Sequence, residues 1–417
     1  MILLRLALRS LLARWITAAL TILAVALSVT LFLGVEKVRI GARASFADTI
    51  SDTDLIVGAR SGSVQLLLYS VFRIGNATNN VTWQSYLDIA ARPEVDWIVP
   101  ISLGDSHRQF RVMGTTAAYF DRYRYRGGRG LAFAEGARFG DLYDAVIGSN
   151  VARTLGYELG DPIVIAHGVA SFVEHDDQPF RVAGILAETG TPVDRTVVVS
   201  LEAIEAIHVD WQGGMRTPGS GTAPQAIREM DLTPSAITAA MIGVESRLQV
   251  FALQRAIGEY PAEPLQAILP GVALQELWGI VGVAETALVA VSAMVVVTAL
   301  LGMAAMIFSG LNERRREMAI LRTIGARPLT IVGLLMLEAV VMALLAAALG
   351  IALLYAALAA AQPLVDARFG LFLPIEPPST REAGIVGAVI LAAAVTSLGP
   401  AWRAYRLSLS DGMSVRS

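Results

Sequence analysis

His167, His175 and His208, with Asp176, Asp177 and Asp210 close by, are the side chains of this sequence whose types could hold an ion. Imidazole combined with carboxylate suits zinc. No two of these histidines have the i, i+4 spacing of a preformed helical site, and exposed loops collect such residues without any ion. The three histidines therefore stand as candidates, and no metal is assigned. There is no cysteine, which removes disulfides, thiolate metal sites and cysteine nucleophiles. A G-x-S-x-G elbow, an H-E-x-x-H pair and an acid dyad are also missing, so catalysis within the chain is not expected. No G-x-x-x-x-G-K-[ST] loop is present to cradle phosphates.

Two other polar features stand out against apolar surroundings. Glu285 and Glu338 lie inside long hydrophobic runs, where an ionised carboxylate costs on the order of 3 kcal/mol. Glu285 is near the end of its run and fits a solvated interfacial position. Glu338 is deeper and is expected to pair with a polar group, in a structural or coupling role rather than proton transport. The densest charge lies in residues 312–329, NERRREMAILRTIGARPL. There Met318, Leu321 and Ile324 recur at helical spacing while Glu313, Arg314, Arg316, Glu317 and Arg327 take the polar positions. Gly325 can close such a helix, and Pro328 can open the next. Its arginines could meet anionic lipid headgroups, or the helix could dock a soluble partner, and the residues alone leave both readings open.

The elements that position these groups follow from hydrophobicity. Of 417 residues, 54% are hydrophobic and 17% charged, against about 25% charged in an average soluble domain. Crossing a hydrocarbon core takes about 20 apolar residues. Four windows qualify: residues 15–35, 280–311, 329–361 and 383–402. The first is too long for a signal peptide, and no A-x-A site follows it, so it reads as an uncleaved anchor. Arg5, Arg9 and Arg14 precede the first window, Arg314, Arg315, Arg316, Arg322 and Arg327 link the second and third, and Arg403, Arg406 and Arg416 follow the fourth. Four spans place all three segments on one side, and the positive-inside rule makes it the cytoplasm, with both termini there. Residues 1–14 and 403–417 then lie on the cytoplasmic side together with the link 312–328, and 362–382 form an outer loop. The small residues of 302–305 and 346–350 permit close helix approach, favour a packed dimer and argue against a wide pore. A net charge of −3 and the lack of a basic tract exclude a general attraction for nucleic acid.

Residues 36–279 must lie outside. Short β-type runs at 54–59, 95–103, 146–148, 163–166, 180–186 and 196–200, with helices at 82–91 and 247–259, read as an α+β domain. A second strand-helix-strand unit, 237–269, resembles 55–103, so we expect two lobes: one from 45–103 plus 233–272, and a β-rich one from 104–232. The Gly/Pro/Ser-rich stretch 213–224 reads as a loop.

The run ERRREMAILRTIGA at 313–326, followed by LLMLEA at 334–339, resembles the signature of the FtsX/MacB-like permease family of ABC transporters. The layout of one span, a large outer domain and three spans is similar too, as is the arginine-rich start. The resemblance implies a four-helix transmembrane bundle carrying a MacB-like periplasmic core in the bacterial inner membrane. It implies a non-catalytic subunit that works by mechanotransmission: two permease copies, as a homodimer, bind two copies of a separate ATPase, which holds ATP and Mg. ATP-driven closure then moves the spans and the outer domains. Glu313, Arg314, Arg315, Arg316, Glu317, Arg322 and Gly325 would form the ATPase contact. A periplasmic adaptor, lipoprotein or substrate-binding protein, together with membrane lipids, completes the implied partners. The work implied is export or extraction of lipoprotein, lipid, peptide or drug, or control of an envelope enzyme. A different class of function, a membrane-anchored sensor or scaffold without ATPase coupling, is the alternative.

Overall fold

The computed structural model describes residues 2–168, 178–212, 215–216, 222–313, 320, 323, 325–369 and 377–406. His175, Asp176, Asp177, Arg314, Arg315, Arg316, Glu317 and Arg322 fall outside them, as does the side chain of Glu313. Two compact units divide the chain: Met1–Gly41, Gly282–Gln362 and Leu373–Ser417 in one, Ala42–Val281 and Pro363–Phe372 in the other.

Among the described residues, four helices are long and apolar enough to cross a membrane: span 1 (Trp15–Ala47), span 2 (Pro270–Leu311), span 3 (Pro328–Gln362) and span 4 (Thr380–Arg406). All exceed the apolar windows. The helix carrying span 2 runs unbroken for 44 residues from Pro270 to Glu313, about 66 Å at 1.5 Å per residue and twice a hydrocarbon core of about 30 Å. Its added first turns, PGVALQELWG, are polar enough to have hidden from a hydropathy window. Span 4 breaks between Thr396 and Leu398. Pro400 has no N–H to offer the Thr396 carbonyl one turn back, which accounts for the break.

The membrane unit closes on small residues. Ala339, Ala343, Ala346 and Gly350 of span 3 repeat at 4-3-4 spacing and are buried. Ala26 and Val29 of span 1 come so close to Gly350 that a Cβ there would stand 2.7 Å from the Ala26 carbonyl oxygen. Such contact lets dispersion hold helices that gain nothing from leaving lipid.

The outer unit is built on a mixed eleven-stranded sheet. In chain order its strands are β1 (Leu55–Ala59), β2 (Val95–His107), β3 (Phe110–Thr115), β4 (Phe133–Gly136), β5 (Asp144–Ile147), β6 (Pro162–Ile163), β7 (Ala166–His167), β8 (Phe180–Leu186), β9 (Thr196–Ser200), β10 (Ala239–Val244) and β11 (Leu265–Ile268). The order across the sheet is β11-β1-β10-β2-β3-β9-β5-β8-β4, with β7 beside β2 and β6 beside β8. Strands β1 and β9 are buried at every position, as their continuous apolar runs LIVGA and TVVVS require of central strands. The helices covering the sheet include α1 (Ser63–Ser70), α2 (Trp83–Ala90), α3 (Ser149–Leu155), α4 (Leu201–His208) and α5 (Val250–Gly258). Thr82 caps α2, its side chain accepting the Ser85 N–H.

The two strand-helix-strand units interleave in this sheet, β1 and β2 alternating with β10 and β11. The expected boundary between lobes lies at residues 103 and 104, and both sides of it contribute strands to this one sheet. That boundary falls inside the 13-residue strand β2, which pairs with β10 on one side and β3 on the other. Gly104 and Asp105 follow the expected strand 95–103, and both are poor strand formers. Here they form a bulge: pairing jumps from Leu103↔Met113 to Ser106↔Arg111, so that two residues of β2 stand against one of β3, Val112.

Candidate functional site

The bulge in β2 sets up a cluster of three metal-ligating side chains among the described residues of the outer unit. β7 pairs antiparallel with β2, placing His167 directly across from Asp105. The Ser106 hydroxyl donates to the Gly168 carbonyl and holds the two strands in this register. His208, the last residue of α4, completes the group. His167 Nδ1 lies 3.0 Å from His208 Nε2 and 3.3 Å from Asp105 Oδ1, and His208 Nε2 lies 3.7 Å from the same oxygen. The far nitrogen of His208, Nδ1, donates to the Ile204 carbonyl at 2.7 Å. Trp211 stacks on the His167 ring with centroids 6.3 Å apart. The Asp105 carboxylate raises His167 above the usual imidazole range, against the opposing effect of partial burial.

Sequence reasoning found two of these three residues. It missed Asp105, whose signal was an acid inside a strand-forming stretch. Asp210, grouped with the histidines by sequence, instead accepts from the Thr222 backbone N–H and hydroxyl, each at 2.9 Å. His107 is also separate: its ring nitrogens meet the Val164 carbonyl at 2.6 Å and the Tyr157 hydroxyl at 2.9 Å.

In the membrane unit, Glu338 is 5% exposed and accepts from the Ser10 hydroxyl at 3.2 Å. Glu285 is partly buried. A charge clamp unforeseen from sequence joins spans 1 and 4. Buried Glu36 meets Arg39 at 2.9 Å and Arg381 at 2.8 Å, while Lys37 meets Glu382 at 3.4 Å. Glu382 also completes a capping box with Ser379 at the start of the span 4 helix.

Residues 18–259 match the model of the MacB-like periplasmic core domain, and residues 289–409 match that of the FtsX-like permease C-terminal region. The chain belongs to the FtsX/MacB-like family of ABC transporter permeases. This permease is similar to the periplasmic region of MacB from Actinobacillus actinomycetemcomitans, with 11% identity and a TM-score of 0.33 over 55% of this chain and 94% of that one. It is also similar to the extracellular domain of the noncanonic ABC-type transporter YknZ from Gram-positive bacteria, with 14% identity and a TM-score of 0.31 over 52% of this chain and 99% of that one. No curated protein matches it. The permease is thus a multi-pass membrane protein with an extracytoplasmic α+β domain between its first two spans, a non-catalytic transmembrane component of an ABC transporter.

At the end of span 2 the permease's helix reaches Glu313. Gly325 takes a left-handed conformation, φ +99°, and Pro328 opens the helix of span 3. Arg314, Arg315, Arg316 and Arg322, which lie between them, are among the residues outside those described.

Proposed function

We propose that this permease couples ATP hydrolysis by a separate ATPase to conformational work outside the cytoplasm, as one of two copies in a homodimer of the bacterial inner membrane with both termini cytoplasmic. The observation that carries the reading is the order of the two family matches, a MacB-like core followed by an FtsX-like permease region that contains the arginine-rich link 313–326. The clustering of arginine on three segments that four spans place together supports the orientation. Glu313, Arg314, Arg315, Arg316, Glu317, Arg322 and Gly325 form the ATPase contact in this reading, and ATP and Mg are held by the partner. The unbroken helix from Pro270 to Glu313 supplies the lever, because a continuous helix passes an axial or tilting displacement along its length without a hinge to absorb it. Export or extraction of lipoprotein, lipid, peptide or drug, or control of an envelope enzyme, is the work such a lever performs.

Purification of the full chain in detergent from its native membrane tests this. A P-loop ATPase co-purifies with the wild type and is lost from the triple Arg314→Ala, Arg315→Ala, Arg316→Ala variant. If no such ATPase associates and the triple variant behaves as wild type, the coupling reading fails and a sensor or scaffold takes its place.

A further inference from the structure

We propose that Asp105, His167 and His208 form a binding site for a divalent transition-metal ion in the outer domain, with zinc the ion of best fit. This inference rests on the geometry of the cluster and not on ATPase coupling.

The spacing of the three ligand atoms comes first. An ion bound tetrahedrally at about 2.0–2.1 Å from nitrogen and oxygen holds its ligand atoms about 3.3 Å apart, the edge of the tetrahedron. The three edges here are 3.0, 3.3 and 3.7 Å, scattered around that value. One face of a tetrahedron is therefore already assembled.

The protonation of His208 agrees with this. A carbonyl oxygen can only accept, so the contact to Ile204 places the proton of the neutral ring on Nδ1 and turns the Nε2 lone pair toward Asp105 and His167. A ligating histidine is commonly oriented through its other ring nitrogen in this way. Trp211, stacked on His167, restricts the orientation of the second ring.

Asp105 supplies an independent observation. Its side chain is 4% exposed, and among the described residues Oδ1 has the two histidine nitrogens as ion-pair neighbours at 3.3 and 3.7 Å but no hydrogen bond of acceptable geometry. A buried carboxylate oxygen left so is costly, and such an atom calls for an explanation. A cation between the three groups provides one. It also relieves the crowding of one carboxylate oxygen and two ring nitrogens within 3.7 Å of one another.

The donor set selects the ion. Magnesium and calcium prefer oxygen ligands throughout, whereas two imidazoles with one carboxylate suit zinc and its neighbours in the first transition row. Three protein ligands leave the fourth position for water or for a group brought by a partner. The partial exposure of His167 and His208, 44% and 27% of their side chains, gives an ion access from solvent.

The test uses the full chain in detergent, stripped with chelator, loaded with Zn²⁺ and desalted, with metal measured by mass spectrometry. The wild type retains one zinc per chain in excess Mg²⁺ and Ca²⁺. His167→Ala and His208→Ala each weaken binding by at least the roughly 10–100-fold that loss of an outer-shell partner costs, while melting as the wild type does in chelator. Co²⁺ loaded into the wild type gives a reading that needs no variant. Intense visible bands report four- or five-coordination by nitrogen and oxygen; weak bands of a hydrated six-coordinate ion contradict the site. A wild type that desalts metal-free, or variants that hold zinc as tightly as it does, overturns the proposal.

Discussion

Replacing glycine by alanine at three positions in the membrane helices should give three different results. At Gly350 the added Cβ would lie 2.7 Å from the Ala26 carbonyl oxygen and 3.1 Å from the Cβ and Cγ1 of Val29. Both neighbours are rigid, so spans 1 and 3 must separate by about 0.7 Å to restore ordinary contact, at an overpacking cost of about 1–3 kcal/mol. The Thr30 hydroxyl, which lies 2.9 Å from the Gly350 carbonyl, loses that acceptor but keeps the Ala26 carbonyl at 2.9 Å, so this loss is on the order of 0.6 kcal/mol. Against both stands the better helix propensity of alanine, about 1 kcal/mol. Packing wins, and Gly350→Ala should destabilise by about 1–2 kcal/mol. At Gly310 the Cβ meets the end of the Arg14 guanidinium, which can swing aside. The bond from Arg14 Nη2 to the Gly310 carbonyl, 3.0 Å, is then exchanged for the propensity gain, and the variant should be close to neutral. At Gly302 nothing lies within 4 Å, so Gly302→Ala should stabilise by up to about 1 kcal/mol. Equilibrium unfolding of the full chain in mixed micelles, titrated with a denaturing detergent, gives the order. If Gly350→Ala is as stable as Gly302→Ala, the close approach of spans 1 and 3 is wrong.

Two further outcomes follow from the charges. In the clamp, Glu36 is buried while Arg381 is 64% exposed, so removing the acid frees arginines that water can reach, whereas removing the arginines strands a carboxylate. The double variant Arg39→Met, Arg381→Met should therefore lose about 3–5 kcal/mol in the same assay, more than Glu36→Gln; equal losses would contradict the burial. In the outer domain, Arg228 meets both oxygens of Asp141, at 2.6 and 2.8 Å, and its hydrogen bonds hold the Asp141 carboxyl below the usual range despite some desolvation. An acid with a depressed folded pKa contributes stability above its unfolded value, about 3.9, and loses it as pH falls through the folded value. Both side chains are more than a third exposed, so solvent screening keeps the contribution of the pair small. Melting curves of wild type and Arg228→Ala should differ at neutral pH and converge in acid, and a gap that persists unchanged in acid would contradict the assignment.

The four spans were legible because nothing but lipid explains four long apolar runs, and the strands β1, β8 and β9 because apolar runs bounded by Gly, Pro or Asp have few other uses. The helix ends were less legible. Pro270 and its first turns are amphipathic, and hydropathy marks where lipid begins, not where hydrogen bonding stops. The clamp was invisible for a related reason. Glu36, Lys37, Arg381 and Glu382 each read as the polar end of a span, and only folding reveals that the ends of spans 1 and 4 meet. In the outer domain, Gly104 and Asp105 carry turn signals, and local chemistry gives no way to tell a turn that ends a strand from a bulge that keeps it paired.

That ambiguity also bears on why Asp105 escaped notice as a ligand while His167 and His208 did not. Histidine draws attention wherever it stands, but an acid becomes a ligand only through what faces it. In an unbulged β2, pleat alternation would carry residue 105 to a side fixed by its neighbours. The extra residue shifts the phase, so that the acid meets His167 across the β2–β7 pair and His208 at the end of α4. β2 is also the strand that joins the two parts of the sheet, pairing with β10 on one side and β3 on the other. An ion held at the bulge would fasten that junction to α4, linking metal occupancy to the stiffness of the sheet where its two halves meet.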